Sequence, residues 1–260
     1  MTGVFTLTMT SIESRAADLT RLPLTIDTLT SVTTSTTGFH GMIGAGLFNG
    51  GIIHAEDRLS LQPLLFMRYD DWAYASLQGG GVWLLQSSDK ALRLGLGVSV
   101  HPAFNPFQGD SYDRWGRRGP SFDGGVNASW RTSIIDVGAS YAQNIGNNKK
   151  RDTAVLRVSH GFLIGSRLML TPDLVAQWNS SEVAYHHFGM YQNTSITDRL
   201  DYQKRRTSIA GGVLTDYRLT EAWSLLGDIQ ITHVDAVGND NLFEGRKEST
   251  RGVAGFGWHF

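Results

Sequence analysis

In a chain of 260 residues without cysteine, acid–base or nucleophilic chemistry falls to histidine, serine and the carboxylates. The missing cysteine removes a thiol nucleophile, a thiolate zinc site, an iron–sulfur centre and a disulfide scaffold together. Ser159 and His160 are adjacent. In an extended segment neighbours point to opposite faces, so they cannot act as a nucleophile and its base, and His160 reads as an interfacial residue. His186 and His187 fall one on each face with no third ligand following, so no metal is expected. Glu56-Asp57 reads as a solvated turn. Gly41, Gly44 and Gly46 are not followed by a helix and do not make a phosphate loop. The Asn-x-Ser/Thr triplets at Asn127, Asn179 and Asn193 are taken as chance. The expectation is a protein with no catalytic residue, cofactor or metal.

Two other constellations suit binding. Residues 103–120 hold Phe104, Phe107, Tyr112 and Trp115 with Arg114, Arg117 and Arg118. Residues 179–205 hold Tyr185, His186, His187, Phe188, Tyr191 and Tyr202 with Lys204 and Arg205. Aromatic and arginine enrichment is the composition of binding hot spots, and arginines also pair with lipopolysaccharide phosphates. Trp115, Arg117, Arg118, Tyr185, His187 and Phe188 are the contact candidates, against the reading that these loops only fold over their own scaffold. A third set is a run of isolated charges, Arg93, Arg131, Arg157 and Arg251 against Asp136, Asp173 and Asp216, each among small or polar neighbours.

The elements that must carry these residues have a period of two. Leu92, Leu94, Leu96 and Val98 oppose Arg93 and Ser99, and Ile135, Val137, Ala139 and Tyr141 oppose Asp136 and Ser140. Ala154, Leu156, Val158 and Phe162 oppose Arg157 and Ser159, and Trp223, Leu225, Ile229 and Ile231 oppose Ser224, Asp228, Gln230 and Thr232. Strict alternation is the strand signature, and no stretch of comparable length shows a helical period. The chain is all-β. Phe39 to Phe48 and Trp72 to Trp83 alternate less cleanly, and the triplet Gly79 to Gly81 suggests a bend.

The alternating runs approach the roughly 9–11 residues with which a tilted strand crosses a bilayer, longer than the 5–6 usual in a soluble sandwich. Their polar face carries charges of both signs, which suits a wet barrel interior, while the other face is nearly free of charge. Aromatics such as Tyr69, Trp72, Trp130, Trp223, Trp258 and Phe260 sit near the run ends, where interfacial girdles belong. Twenty-three basic against 24 acidic residues leave a net charge of −1, which supplies no basic face for nucleic acid. No helix of about 20 apolar residues is present, and Met1 to Asp18 lacks the pattern of a secretory leader, so a removed signal is expected. A large soluble β-sandwich or lipocalin-like barrel is the alternative.

Short joins at 86–90, 131–133, 164–167 and 219–222 alternate with long ones, which puts the long connections outside and Phe260 on the periplasmic side. Asp70 and Asp71 then read as a short outer turn. Eleven strands are countable, and a bacterial barrel needs an even number. A further strand within Leu22 to Thr34 gives twelve, the preferred count, and loss of a weak run gives ten. The expected organisation is a periplasmic segment over 1–37 and a transmembrane, antiparallel, up-and-down β-barrel over 38–260.

The sequence resembles the MipA/OmpV family of outer-membrane proteins over about residues 38–260. The resemblance rests on Tyr185-His186-His187-Phe188-Gly189-Met190 and on Thr215 through Leu225, similar to a family hairpin "Y-x-L-T-x-x-W-S-L". Gly44-Ala45-Gly46 and Leu61-Gln62-Pro63-Leu64-Leu65 with Tyr69 and Asp71 match more weakly, and Phe48-Asn49-Gly50-Gly51-Ile52 departs from the family's "P-x-Y-x-G". The resemblance implies a non-enzymatic scaffold in the bacterial outer membrane that bridges a murein lytic transglycosylase and a peptidoglycan synthase. Other members are linked to adhesion, osmotic response or antibiotic binding. A small-solute channel or a surface adhesin is the alternative. Resemblance to outer-membrane proteins also makes Phe256, Trp258 and Phe260 the signal read by the barrel-assembly machinery, and the last strand is an open edge that such machinery can pair with. The remaining expected contacts are membrane lipid and lipopolysaccharide.

Overall fold

The computed structural model describes residues 38–49, 59–77, 79–101, 121–145, 152–180, 206–234 and 248–260. The loop candidates Trp115, Arg117, Arg118, Tyr185, His187 and Phe188, and the segment 1–37, lie outside the described residues, as do the side chains of Arg206 and Arg251.

Every described element is a strand: β1 (Phe39–Asn49), β2 (Leu59–Tyr69), β3 (Ala73–Ser76), β4 (Gly79–Gln86), β5 (Leu92–His101), β6 (Ser121–Arg131), β7 (Asp136–Asn144), β8 (Asp152–Ser159), β9 (Phe162–Ile164), β10 (Leu168–Asn179), β11 (Arg206–Arg218), β12 (Trp223–Val234) and β13 (Glu248–His259). Each pairs antiparallel with its neighbours, and β13 returns to β1 with Met42 opposite His259 and Asn49 opposite Gly252. β8 and β9 occupy one position in the wall, since both pair with β10. The result is a closed barrel of twelve strands. Gly41 and Phe260 exchange backbone hydrogen bonds of 3.1 and 3.2 Å, sealing the seam at the end where β1 begins and β13 finishes.

The alternation inverts the usual arrangement of a soluble protein. Ile43, Leu94, Leu96, Val98, Val126, Leu156, Leu174, Ile209, Ile229, Ile231 and Phe256 are exposed, whereas Arg93, Ser99, Asp123, Asn127, Arg157, Asp173, Asp216, Ser224, Asp228 and Gln230 are buried. An apolar outer face with a polar interior is stable only where the outside solvent is hydrocarbon. Rings gather at the end that holds Phe260: Phe39 lies 4.7 Å from Tyr69, Tyr69 5.6 Å from Trp72, and Trp258 stacks on Phe260 at 5.5 Å.

Two sequence expectations are corrected. The count of twelve is right, but the run Trp72 to Trp83 supplies the extra strand: the chain reverses between Ser76 and Gly79, so the expected bend is a hairpin joining β3 to β4. This moves the Asp70–Asp71 turn to the end that carries Phe260, opposite to the outer end inferred for it, because β2 runs back toward the start of β1. All described turns at that end are short, which makes it the periplasmic one. Arg167 is exposed in the turn before β10.

The break between β8 and β9 has a local cause. The register of β8 against β10 stops at Ser159 opposite Asp173, so the next residue of β10 is Pro172, which has no N–H to give a ladder. His160 sits in this break, its ring 4.8 Å edge-on from Phe162.

Candidate functional site

Most of the described ionisable groups converge in the barrel interior, and its two sides differ. From β5 through β11 most inward positions are polar, with Val155, Val175 and Ala210 as a buried apolar cluster among them. Arg157 on β8 and Asp173 on β10 pair at 2.7 Å with side chains only 1% and 2% exposed. Their strands are hydrogen-bonded neighbours, and the register that sets Ser159 opposite Asp173 brings the two side chains together from positions two residues apart. Arg131 and Asp136, directly opposite on β6 and β7, pair at 3.2 Å nearer the periplasmic rim. Arg93 is buried and its Nε donates to the carbonyl of Lys90 at 3.3 Å. Arg251 takes its place on β13 opposite Gln230. Opposite charges thus stand as neighbouring pairs at Arg157–Asp173 and Arg131–Asp136.

The side formed by β1 to β4 is apolar on the inside, joined by Leu214 of β11 and Leu226 of β12. Met42, Leu64 and Leu226 form a buried cluster with Phe66 and Leu214 against it, and Phe66 also packs on Tyr74 and Trp83. The rings of Tyr74 and Trp83 lie 5.6 Å apart. Tyr74 lies over glycine. Gly81 stands opposite it, Gly97 opposite Gly81 and Gly125 opposite Gly97, so one inward row carries a phenol followed by three missing side chains. A Cβ on Gly81 would meet the phenol oxygen at 2.5 Å, and one on Gly97 would lie 2.6 Å from the Asn127 amide nitrogen. That amide nitrogen donates to Tyr74 Oη across the row. At Gly81 the space of the missing side chain is taken by Tyr74, and at Gly97 by Asn127 with Tyr74 behind it.

At the periplasmic end a serine and a histidine meet. Ser224 on β12 and His259 on β13 are both buried, with Oγ and Nε2 2.8 Å apart. A nucleophile–base pair has that distance, but the base also needs an orienting acid on its other nitrogen. His259 Nδ1 is buried without a hydrogen-bond partner, and Asp216, on the neighbouring β11, instead faces Arg218 Nε at 3.8 Å. Ser224 has no exposed surface, so no substrate reaches it. The group is a polar plug, and periodicity could have hinted at it only by placing Ser224, Asp216 and His259 on one face. Outside the strands, Asp71 is bonded by Lys90 from the next turn and lies 3.8 Å from Arg68. Partial burial works against its ionisation, but Lys90, Arg68 and Arg93 outweigh it and hold the carboxyl below its ordinary range. Among the described residues no group of three or more His, Asp or Glu could hold a metal ion.

Phe256, Trp258 and Phe260 all point outward from β13 and its end, half-exposed at the periplasmic rim. Tyr74, Trp83, Met42 and Leu64 were not legible as an interior group, because their apolar type hides their inward parity.

A closed antiparallel wall, apolar outside and charged within, with short turns at one end, defines a bacterial outer-membrane β-barrel. The family model described as MltA-interacting protein MipA matches residues 43–260, and the chain belongs to that family. No curated protein matches it. Among solved structures the chain is similar to outer-membrane OmpT of Vibrio cholerae (8% identity, TM-score 0.42, covering 85% of this chain and 97% of that one). An outer-membrane channel of Pseudomonas putida F1 aligns at 13% identity and TM-score 0.41 over 86% and 96% of the two chains. OprD of Pseudomonas aeruginosa aligns at 11% and 0.39 over 85% and 65%.

Proposed function

We propose that this barrel is a non-enzymatic scaffold whose periplasmic end holds a murein lytic transglycosylase, and a peptidoglycan synthase with it. The observation that carries the reading is the match over residues 43–260 to a family named for interaction with MltA, a lytic transglycosylase. The periplasmic turns support it. They expose Ser133, Ser166, Arg167, Thr220 and Glu221 on short, tightly bonded loops, a polar surface held rigid enough for docking.

Purified barrel immobilised in detergent should retain a lytic transglycosylase from periplasmic extract. Retention should weaken when Arg167 and Glu221 are replaced by residues of opposite charge. No retention by the folded, heat-modifiable barrel would remove the scaffold reading. The polar half of the lumen favours a second reading, a small-solute channel. Steady single-channel openings in planar bilayers, enlarged by Arg157→Ala, would establish it, and a silent bilayer would discard it.

A further inference from the structure

The wall has a weak place. β1 pairs with β2 along all of Leu59 to Tyr69, but β3 pairs only with Phe66 to Tyr69. Beyond Ser76 the chain turns at Leu77 and returns as β4, so Leu59 to Leu65 have no strand partner on that side among the described residues. β4 begins opposite Ser99, leaving Val100 and His101 of β5 above it. Among the described residues the short hairpin thus leaves a gap in the outer part of the barrel, between β2 and β5. Pro63 lies in the unpartnered stretch, the setting in which a strand tolerates a residue without an N–H.

The lips of this gap belong to the lipid-facing belt: Leu61 is 65% exposed, Leu77 43% and Val98 50%. Just inside it, Leu64 turns inward and joins the apolar half of the lumen through Met42, Phe66 and Leu226. Hydrocarbon outside and an apolar lining inside meet at one opening, and water is disfavoured on both. The unpartnered peptide groups of β2 set the second requirement, because in a membrane each needs a hydrogen bond that hydrocarbon cannot give. An occupant that meets both demands carries a hydrocarbon tail next to hydrogen-bonding ester or hydroxyl groups.

We infer that the gap between β2 and the β3–β4 hairpin is a lateral entry site for a membrane lipid. One acyl chain passes above Leu77 to lie on Leu64, Phe66, Met42 and Leu226, and the polar part of the lipid bonds the free edge of β2. Neither a scaffold nor a solute channel requires such an opening.

The folded barrel is reconstituted in vesicles of phosphatidylcholine that carries a diazirine in its acyl chain, irradiated, and mapped by peptide mass spectrometry. Outward residues such as Leu61 and Leu156 take adducts in any case. The inference expects adducts also on the inward Leu64, Phe66 and Met42, and none on the inward Val155 and Val175, which form a buried cluster with Ala210 away from the gap. Labelling confined to outward residues means that polypeptide or a second copy seals the gap, and overturns it. Equal labelling of Val155 and Val175 means that lipid enters through the mouth, and overturns it as well.

Discussion

Among the described residues Arg157 is the largest side chain to be fully buried, and the side chain of its partner Asp173 is nearly so. A buried pair adds little over an apolar pair of the same shape, yet removing one member strands the other charge, at a cost of about 3–5 kcal/mol. Arg157→Ala should therefore lower the urea midpoint of the barrel in lipid vesicles much more than Arg157→Met with Asp173→Leu. A double variant as unstable as the single one would show that the pair itself, and not the stranded aspartate, carries the energy. Asp71 lies at the other extreme, in a turn, where exposed ion pairs contribute under about 1 kcal/mol. Its lowered carboxyl means that the folded state favours the charged form, so the contribution is present above the ordinary value of 3.8 and fades as acid protonates the folded group. Asp71→Asn should thus cost a fraction of a kcal/mol at pH 7, and the difference from wild type should shrink as the pH falls below 3.8, measured by urea unfolding at both pH values.

At the scale of elements, the glycine row explains both what the sequence revealed and what it concealed. Because Asn127 and Tyr74 cover Gly97, Gly97→Val should push the Asn127 amide off the Tyr74 phenol, destabilising the barrel by about 1–3 kcal/mol. If the clash is with Asn127, the double variant with Asn127→Ala should unfold at the same urea concentration as Asn127→Ala alone. A double variant less stable by the whole Gly97→Val increment would place the strain elsewhere. The strands that face lipid outside and polar groups inside, such as β5, β7 and β12, were legible from parity because two unlike solvents sort their residues. The β3–β4 hairpin was not, because the glycines after Ser76-Leu77 read as a bend in one strand and its inward residues are as apolar as its outward ones. A mistaken single strand there also reversed the side assigned to the Asp70–Asp71 turn. The β8–β9 break was hidden for another reason: its cause is Pro172, which lies on the partner strand.

For the whole molecule, the near-neutral charge and mild mean hydropathy of −0.18 average two surfaces that never meet the same solvent. Each face read alone gives the membrane class, the closed wall and the inward placement of Arg93, Arg157, Asp173 and Asp216, which is why the lumen charges were legible before the fold. The loop candidates were chosen by composition, a signal that carries no geometry. The inverted solvent logic makes a depth-dependent prediction. Ile229 lies mid-way along β12 and is 63% exposed, whereas Ile134 is 74% exposed in the periplasmic turn between β6 and β7. In water the two positions would tolerate a charge alike. In a bilayer an arginine on the lipid face costs about 2–4 kcal/mol at the midplane and about 0–1 near the interface. Ile229→Arg should accordingly lose that larger amount in equilibrium urea unfolding from phosphatidylcholine vesicles, while Ile134→Arg stays close to wild type. Equal penalties at the two sites would mean that the outer face of β12 does not stand in hydrocarbon.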